Sequence, residues 1–267
     1  MRAFQIVSGR SVADVTPDSQ DERPILLRLS DVSKHFTTAV ALDKFSLELR
    51  AGEFVALIGP SGAGKSTLFR CITQLEPPDD GQIELDGRDV TLLTARKLRE
   101  TRRTIGLVFQ QFNLIGRLNA LDNVLLGRLG SAPAWRVLSC RFTAADRQAA
   151  LAALDNVGLL ERAYQRADRL SGGQQQRVAI ARVLAQKAGV ILADEPVSSL
   201  DPGSAHTVLG VLQRVARDYR KAVLCSLHQT DLARRYADRI IGLRDGRLCF
   251  DASPADLSEE RLMNLYS

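Results

Sequence analysis

Apolar runs punctuate the chain, and their lengths and spacing predict an alternation of strands and helices. Phe54-Val55-Ala56-Leu57-Ile58 reads as a short buried strand and is followed, past a glycine-rich stretch, by the helix-compatible run Leu68 to Ile72. Val190-Ile191-Leu192-Ala193 is apolar without interruption, as a central parallel strand buried on both faces requires. Ile105 to Phe109 and Ala222 to Leu227 read as further strands, the second lying beside Val190 to Ala193. Ahead of this set, Leu27-Arg28-Leu29 and Phe45-Ser46-Leu47-Glu48-Leu49 alternate with period two, predicting an antiparallel pair around a polar turn at Lys34 to Thr38. Gln82 to Asp86 reads as another strand, Arg239 to Leu243 and Arg247 to Phe250 as a closing hairpin, and Leu257 to Tyr266 as a terminal helix.

Between Phe112 and about Ala167 the strands give way to helices alone. Ala120 to Leu129 and Ala144 to Val157 carry helical spacing, with Leu121, Val124 and Leu125 on one face and Ala149, Ala152 and Ala153 on another. Trp135 sits in this insertion as a partner-surface anchor or a local core residue, and a strong helix, Val178 to Gln186, closes it. The expected fold class is therefore α/β. Its catalytic core spans 25–111 and 187–267, starting with an antiparallel β subdomain; the helical subdomain covers 112–186, and 1–24 forms a flexible polar extension.

Composition narrows the function without naming it. With 267 residues and 45% hydrophobic content, the chain can bury a substantial core. No apolar run approaches the roughly 20 residues that span a bilayer, and 1–24 lacks a signal-peptide core, so a cytosolic protein is expected. Cys71, Cys140, Cys225 and Cys249 lack C-x-x-C spacing and read as reduced, mostly buried small hydrophobes, not as a zinc site. A net charge of +5 is compatible with nucleotide, nucleic acid or an anionic membrane. The basic run Arg96 to Arg103 has no interleaved aromatics for base stacking and reads as a solvated helix face.

The chemistry collects at four places. Gly59-Pro60-Ser61-Gly62-Ala63-Gly64-Lys65-Ser66-Thr67 matches G-x-x-x-x-G-K-[ST] between a strand and a helix, where inward N–H groups cradle an anion at the helix start. Lys65 then reaches the β- and γ-phosphates of a nucleotide, and Ser66 offers its hydroxyl to Mg²⁺. Ser171-Gly172-Gly173-Gln174 opens a second helix suited to an anion, with Ser171 as its N-cap. Each device has its own ligand, or both close on one. Asp194-Glu195 ends the central strand; adjacent strand residues face opposite ways, so Asp194 can hold Mg²⁺ while Glu195 orients or deprotonates an attacking water. Gln110 and His228 end neighbouring strands, within reach of the same ligand, and Phe36 either closes a hairpin core or stacks on a base.

Taken in order, Gly59 to Thr67, Gln110, Leu170 to Gln174, Val190 to Glu195, Ser199 to Asp201 and His228 resemble the Walker A, Q-loop, signature, Walker B, D-loop and H-loop of ABC-type ATPases. The resemblance runs from Ile25 to the C-terminus and implies a P-loop NTPase core of ABC-ATPase type. Leu170-Ser171-Gly172-Gly173-Gln174 is its most discriminating part, since P-loop kinases and GTPases lack it. It implies that ATP and Mg²⁺ bind, that Gln110 contacts the metal and that Phe36 stacks on adenine.

Within the family, Val108 to Leu118, Gly127 to Gly130, Ala163 to Ser171 and Ser226 to Gln229 are similar to phosphonate importer ATP-binding subunits. That similarity implies a homodimer of ATPases on the cytoplasmic face of the membrane. Two permease subunits would receive it, with a periplasmic or lipid-tethered solute-binding protein beyond and no nucleic acid partner. Other ABC importers, an exporter and a soluble nucleic-acid ATPase are the rival readings. Phe109, Phe112, Leu114 and Ile115 are expected to expose an apolar surface to the permease beside Gln110. Two features depart from the family pattern: the extension 1–24 is long, and Ser198 stands where alanine is expected.

Overall fold

A computed structural model, which describes residues 22–37, 39–131 and 142–267, arranges the strands in two sheets. In chain order these are β1 (Ile25–Phe36), β2 (Ala39–Arg50), β3 (Phe54–Ile58), β4 (Asp80–Leu85), β5 (Arg88–Asp89), β6 (Ile105–Phe109), β7 (Val190–Asp194), β8 (Ala222–Ser226), β9 (Arg239–Arg244) and β10 (Arg247–Ala252). The antiparallel sheet runs β2-β1-β4-β5, and the larger sheet β10-β9-β3-β8-β7-β6. Within the larger sheet β9, β3, β8, β7 and β6 are parallel, and β10 returns antiparallel on β9.

Alternate residues of the central strands enter two different cores, as the period of two demands. Phe54, Ala56 and Ile58 of β3, Ile191 and Ala193 of β7, and Val223 and Cys225 of β8 face one cluster. Val55, Leu57, Val190, Leu192, Ala222 and Leu224 face the other, which Leu27, Leu29, Phe45 and Leu49 of the antiparallel sheet complete. Both faces are covered, which explains why these strands carry no polar alternation.

The helices are α1 (Lys65–Ile72), α2 (Ala95–Arg102), α3 (Ala120–Leu125), α4 (Ala144–Asn156), α5 (Gly172–Gln186), α6 (Pro202–Asp218), α7 (Thr230–Tyr236) and α8 (Glu259–Tyr266). Val124 of α3, Leu154 of α4 and Val178, Ile180 and Val183 of α5 lie in the same cluster as Ile191 and Val223. The helical region thus shares its hydrophobic core with one face of the catalytic sheet.

Three local expectations differ from what is observed. Lys34, His35 and Phe36 belong to β1 and pair with Leu42, Val40 and Ala39 across irregular register, where their polarity predicts a turn. The cause is tertiary: the Lys34 ammonium, almost buried, donates to Pro77 O and Asp79 Oδ1 at 2.8 Å each. The buried face of α4 carries Ala150, Ala153 and Leu154, with Val157 just beyond, while Ala152 is exposed and Ala149 half-buried. Alanines do not identify a face; the bulky Leu154 and Val157 decide it. The third helical run ends as α-helix at Leu125 and continues as a 3₁₀ segment, Leu126–Ser131. There a Cβ at Gly127 would sit 2.4 Å from Arg182 O, an approach to α5 open only to glycine. Trp135, Cys140 and most of 1–24 lie outside the described residues.

Candidate active site

The loop between β3 and α1 is shaped by close approach as much as by sequence. A Cβ at Gly59 would stand 2.0 Å from Leu243 O, and one at Gly64, whose φ is 107°, would stand 2.3 Å from Ala41 O. Only glycine fits either position. Lys65 opens α1 and is buried, its ammonium donating to Gly59 O at 2.7 Å and Pro60 O at 2.9 Å. Burial lowers its pKa, while the negative charges of Glu195 and Asp194 oppose that shift.

The ends of β3, β7 and β8 bring the carboxylates to this loop. Asp194 Oδ2 accepts from Ser66 Oγ at 3.3 Å, and Asp194 Oδ1 accepts from Ser226 Oγ at 2.8 Å. Ser66 Oγ and Asp194 Oδ2 form a pair of hard oxygen donors of the kind that Mg²⁺ takes with few protein ligands. Among the described residues there is no cluster of three His, Cys, Asp or Glu side chains that would favour a softer, protein-caged metal. Glu195 adopts φ 47°, the left-handed region, which costs a non-glycine residue about 1 kcal/mol or more. Its carboxylate Oε1 stands 2.5 Å from His228 Nε2, the ring N–H donating. Both side chains remain accessible, His228 at 44% and Glu195 at 25%.

Ser66, Lys65, Asp194, Glu195 and His228 are therefore assembled in one place, whereas the other sequence-derived candidates stand apart from them. Gln110 directly follows β6, whose Phe109 pairs with Asp194, but no side-chain hydrogen bond joins Gln110 to the carboxylates among the described residues. Ser171 caps α5 reciprocally: Ser171 Oγ accepts from the Gln174 N–H at 3.3 Å and Gln174 Oε1 accepts from the Ser171 N–H at 3.0 Å. Among the described residues no hydrogen bond links Ser171–Gln174 to the Gly59–Ser66 loop. Phe36 ends β1 with 45% of its surface exposed and Lys34 Nζ 5.7 Å from its ring centroid.

The family model described as ABC transporter matches residues 42–198, from β2 through the Asp194-Glu195 pair. The chain belongs to the ABC transporter family. This ABC cassette is 52% identical over 244 residues to the hypophosphite import ATP-binding protein of Stutzerimonas stutzeri, covering 91% of this chain and 72% of that one. It is 48% identical over 241 residues to the phosphonates import ATP-binding protein of Rhodopseudomonas palustris strain BisB5, covering 90% and 89%. Among solved structures, a dimeric ATP-binding cassette in a post-hydrolysis state with ADP and Pi superposes with a TM-score of 0.74 at 35% identity, covering 86% of this chain and 99% of that one. The fold is that of an ABC ATPase, and the cassette binds and hydrolyses ATP.

The residues that sequence reasoning did not assign are those that hold the site together. Ser226 is fully buried, and its hydroxyl accepts the Glu195 N–H at 2.8 Å while donating to Asp194. Gln176 of α5 donates to Phe109 O at 3.2 Å, immediately before Gln110. Asn123, also fully buried, donates to Ile115 O and accepts from the Ile115 N–H. The expected apolar surface beside Gln110 is narrower than its sequence: Ile115 is 48% exposed, whereas Phe109, Phe112 and Leu114 are half-buried and Leu114 packs on the main core.

Proposed function

We propose that this cassette is the ATP-hydrolysing subunit of an importer for a phosphonate or a closely related phosphorus oxyanion, hypophosphite included. The observation that carries the hydrolytic part is the convergence of Ser66, Asp194, Glu195 and His228 where β3, β7 and β8 end beside the phosphate loop. The import and solute parts rest on the names of the relatives.

In this reading Phe36 stacks on the adenine, the Gly59–Thr67 N–H groups surround the phosphates and Lys65 neutralises the β- and γ-oxygens. Ser66 and Asp194, with Gln110, would hold Mg²⁺, which would supply positive charge against the phosphates. Glu195 orients water against the γ-phosphorus and takes its proton as the bond to the β-phosphate oxygen breaks and ADP leaves. His228 donates to Glu195 and faces the γ-phosphate. Among the described residues no hydrogen bond joins Ser171–Gln174 to the loop of their own chain. The dimeric state of a similar ATP-binding cassette supports a head-to-tail homodimer in which they meet the γ-phosphate bound by the partner.

The permease would dock beside Gln110. A cavity of about 300 Å³ is lined by Arg99, Arg102, Arg103, Arg182 and Gln186, of which Arg182 also holds the segment after Gln110 through Asn113 O and Phe112 O, and its charge suits a cytoplasmic permease segment that carries carboxylates. No helix among the described residues is long and apolar enough to cross a membrane. The import relatives' names support a peripheral subunit on the cytoplasmic face.

The test is growth of a strain lacking this chain, complemented with wild type or Glu195→Gln, on methylphosphonate, hypophosphite or phosphate as sole phosphorus source. Wild type alone is expected to restore growth on at least one of the first two, with all strains growing on phosphate. Equal uptake of both solutes in the deletion strain and the wild type would contradict the assignment.

A further inference from the structure

β8 is apolar until its last residue. Ala222, Val223, Leu224 and Cys225 enter the two cores, and Ser226 then places a hydroxyl at 0% exposure between two groups on the neighbouring strand. Its Oγ donates to Asp194 Oδ1 and accepts the Glu195 N–H, each at 2.8 Å. A buried serine thus uses its one proton and one of its lone pairs on consecutive residues with different tasks. Asp194 is left with Oδ2 turned to Ser66, at 3.3 Å. Glu195 is held at φ 47°, an uncommon conformation that persists only when its surroundings over-determine it.

We propose that Ser226 is a positioning residue for ATP hydrolysis, one hydroxyl that sets both the metal-facing oxygen of Asp194 and the left-handed backbone that presents Glu195. The proposal rests on the roles of Asp194 and Glu195 given above. Without the hydroxyl, the Asp194 carboxylate is free to rotate and the Glu195 N–H, in a partly buried site, loses its acceptor. Asp194 then loses its fixed orientation toward Ser66, and Glu195 loses the restraint on its main chain. Groups that orient a metal ligand in this way typically change metal affinity or activity by about 10- to 100-fold when removed. Nothing about Ser226 touches the Gly59–Lys65 loop by a hydrogen bond among the described residues, so binding of nucleotide without metal is expected to be indifferent to it.

The test compares wild type, Ser226→Ala, Ser226→Thr and Glu195→Gln in the full-length protein. Mn²⁺ affinity of the ATP-bound protein is read by electron paramagnetic resonance, ATP affinity in EDTA by fluorescence, steady-state turnover by phosphate release, and folding by Tm. Ser226→Ala is expected to bind ATP in EDTA like wild type, to bind Mn²⁺ about 10-fold or more weakly and to lose a comparable factor in kcat. Ser226→Thr keeps the hydroxyl and is expected to recover most of the Mn²⁺ affinity. Wild-type Mn²⁺ affinity and kcat in folded Ser226→Ala would overturn the proposal, as would equal loss of metal-free ATP binding. Glu195→Gln separates the two claims: full turnover in that variant defeats the assignment of Glu195 itself, whatever Ser226 does.

Discussion

The Arg182 guanidinium donates to Asn113 O at 2.6 Å and also to Phe112 O at 3.3 Å, so the segment after Gln110 hangs from the signature helix α5. Burial lowers the Arg182 pKa, yet the guanidinium stays charged and its bonds are charge-assisted. Replacing it by methionine removes donors worth about 1.5–3 kcal/mol. For a chain of this size that lowers Tm by roughly 3–10 °C. The same variant is expected to retain ATP binding, measured by fluorescence, while losing the dependence of ATP turnover on the permease in reconstituted vesicles. Unchanged coupling would show that the segment is held independently of α5.

α5 is equally close to the helix that follows Asp201. A Cβ at Gly173 would sit 2.8 Å from both Cβ and Oγ of Ser204, so Gly173→Ala forces α5 and α6 apart. Overpacking of this kind costs about 1–3 kcal/mol. Ser204→Gly removes both obstructing atoms while leaving the Ser204 N–H that Asp201 Oδ1 accepts at 2.9 Å. Urea denaturation of the single and double variants is expected to give a favourable coupling, with Ser204→Gly restoring part of the stability lost in Gly173→Ala. Strict additivity would mean that the loss comes from elsewhere.

Strands that are apolar on both faces, a glycine loop between strand and helix, and consecutive carboxylates at a strand tip are local patterns. They make the α/β core and the grouping of Ser66, Asp194 and Glu195 legible in the sequence. Arg182, Asn123 and Gln176 were not legible because each acts on main-chain atoms, Arg182 and Gln176 across about seventy residues of chain. Ser226 did leave a signal, a hydroxyl ending an otherwise apolar strand beside Asp194-Glu195. Its meaning required the register that places Cys225 opposite Ala193. Phe112 and Leu114 look exposed in sequence because a loop sequence does not reveal that Leu114 packs on the main core and that Arg182 of α5 holds Phe112 O.

Acid sensitivity follows from Asp146, the N3 residue that completes the capping box of α4 with Thr143. The hydroxyl and N–H of Thr143 and the Arg128 guanidinium hold its carboxyl below the usual aspartate range. The unfolded value is about 3.9, so the stabilisation is complete above that pH and is lost as pH falls through the lower folded value. Wild type and Asp146→Asn should therefore differ in Tm at pH 7, and the difference should shrink as pH falls below the ordinary aspartate range. A difference in Tm that is independent of pH would exclude charge as the cause.

Ile115 and the basic cavity, both proposed to meet the permease, can be altered without touching Asp194 and Glu195. Ile115→Asp and Arg103→Glu are expected to leave ATP binding of the isolated subunit unchanged and to reduce oxyanion uptake in cells. Charge reversal of an acidic residue in the permease segment should restore uptake to Arg103→Glu. Normal uptake by both variants would place the permease elsewhere.

The central claim is that each hydrolytic site joins Glu195 of one chain to the signature of its partner. Glu195→Gln should bind ATP yet lose about 10²-fold or more in turnover, the scale of a general base. Ser171→Arg keeps its base but presents a blocked signature. A mixed dimer of the two has one site with both defects and one with neither, so ATP turnover of purified mixed dimers on the permease is the decisive measurement. The account predicts recovery well above either parent homodimer. Turnover no higher than the parents in verified mixed dimers would contradict it.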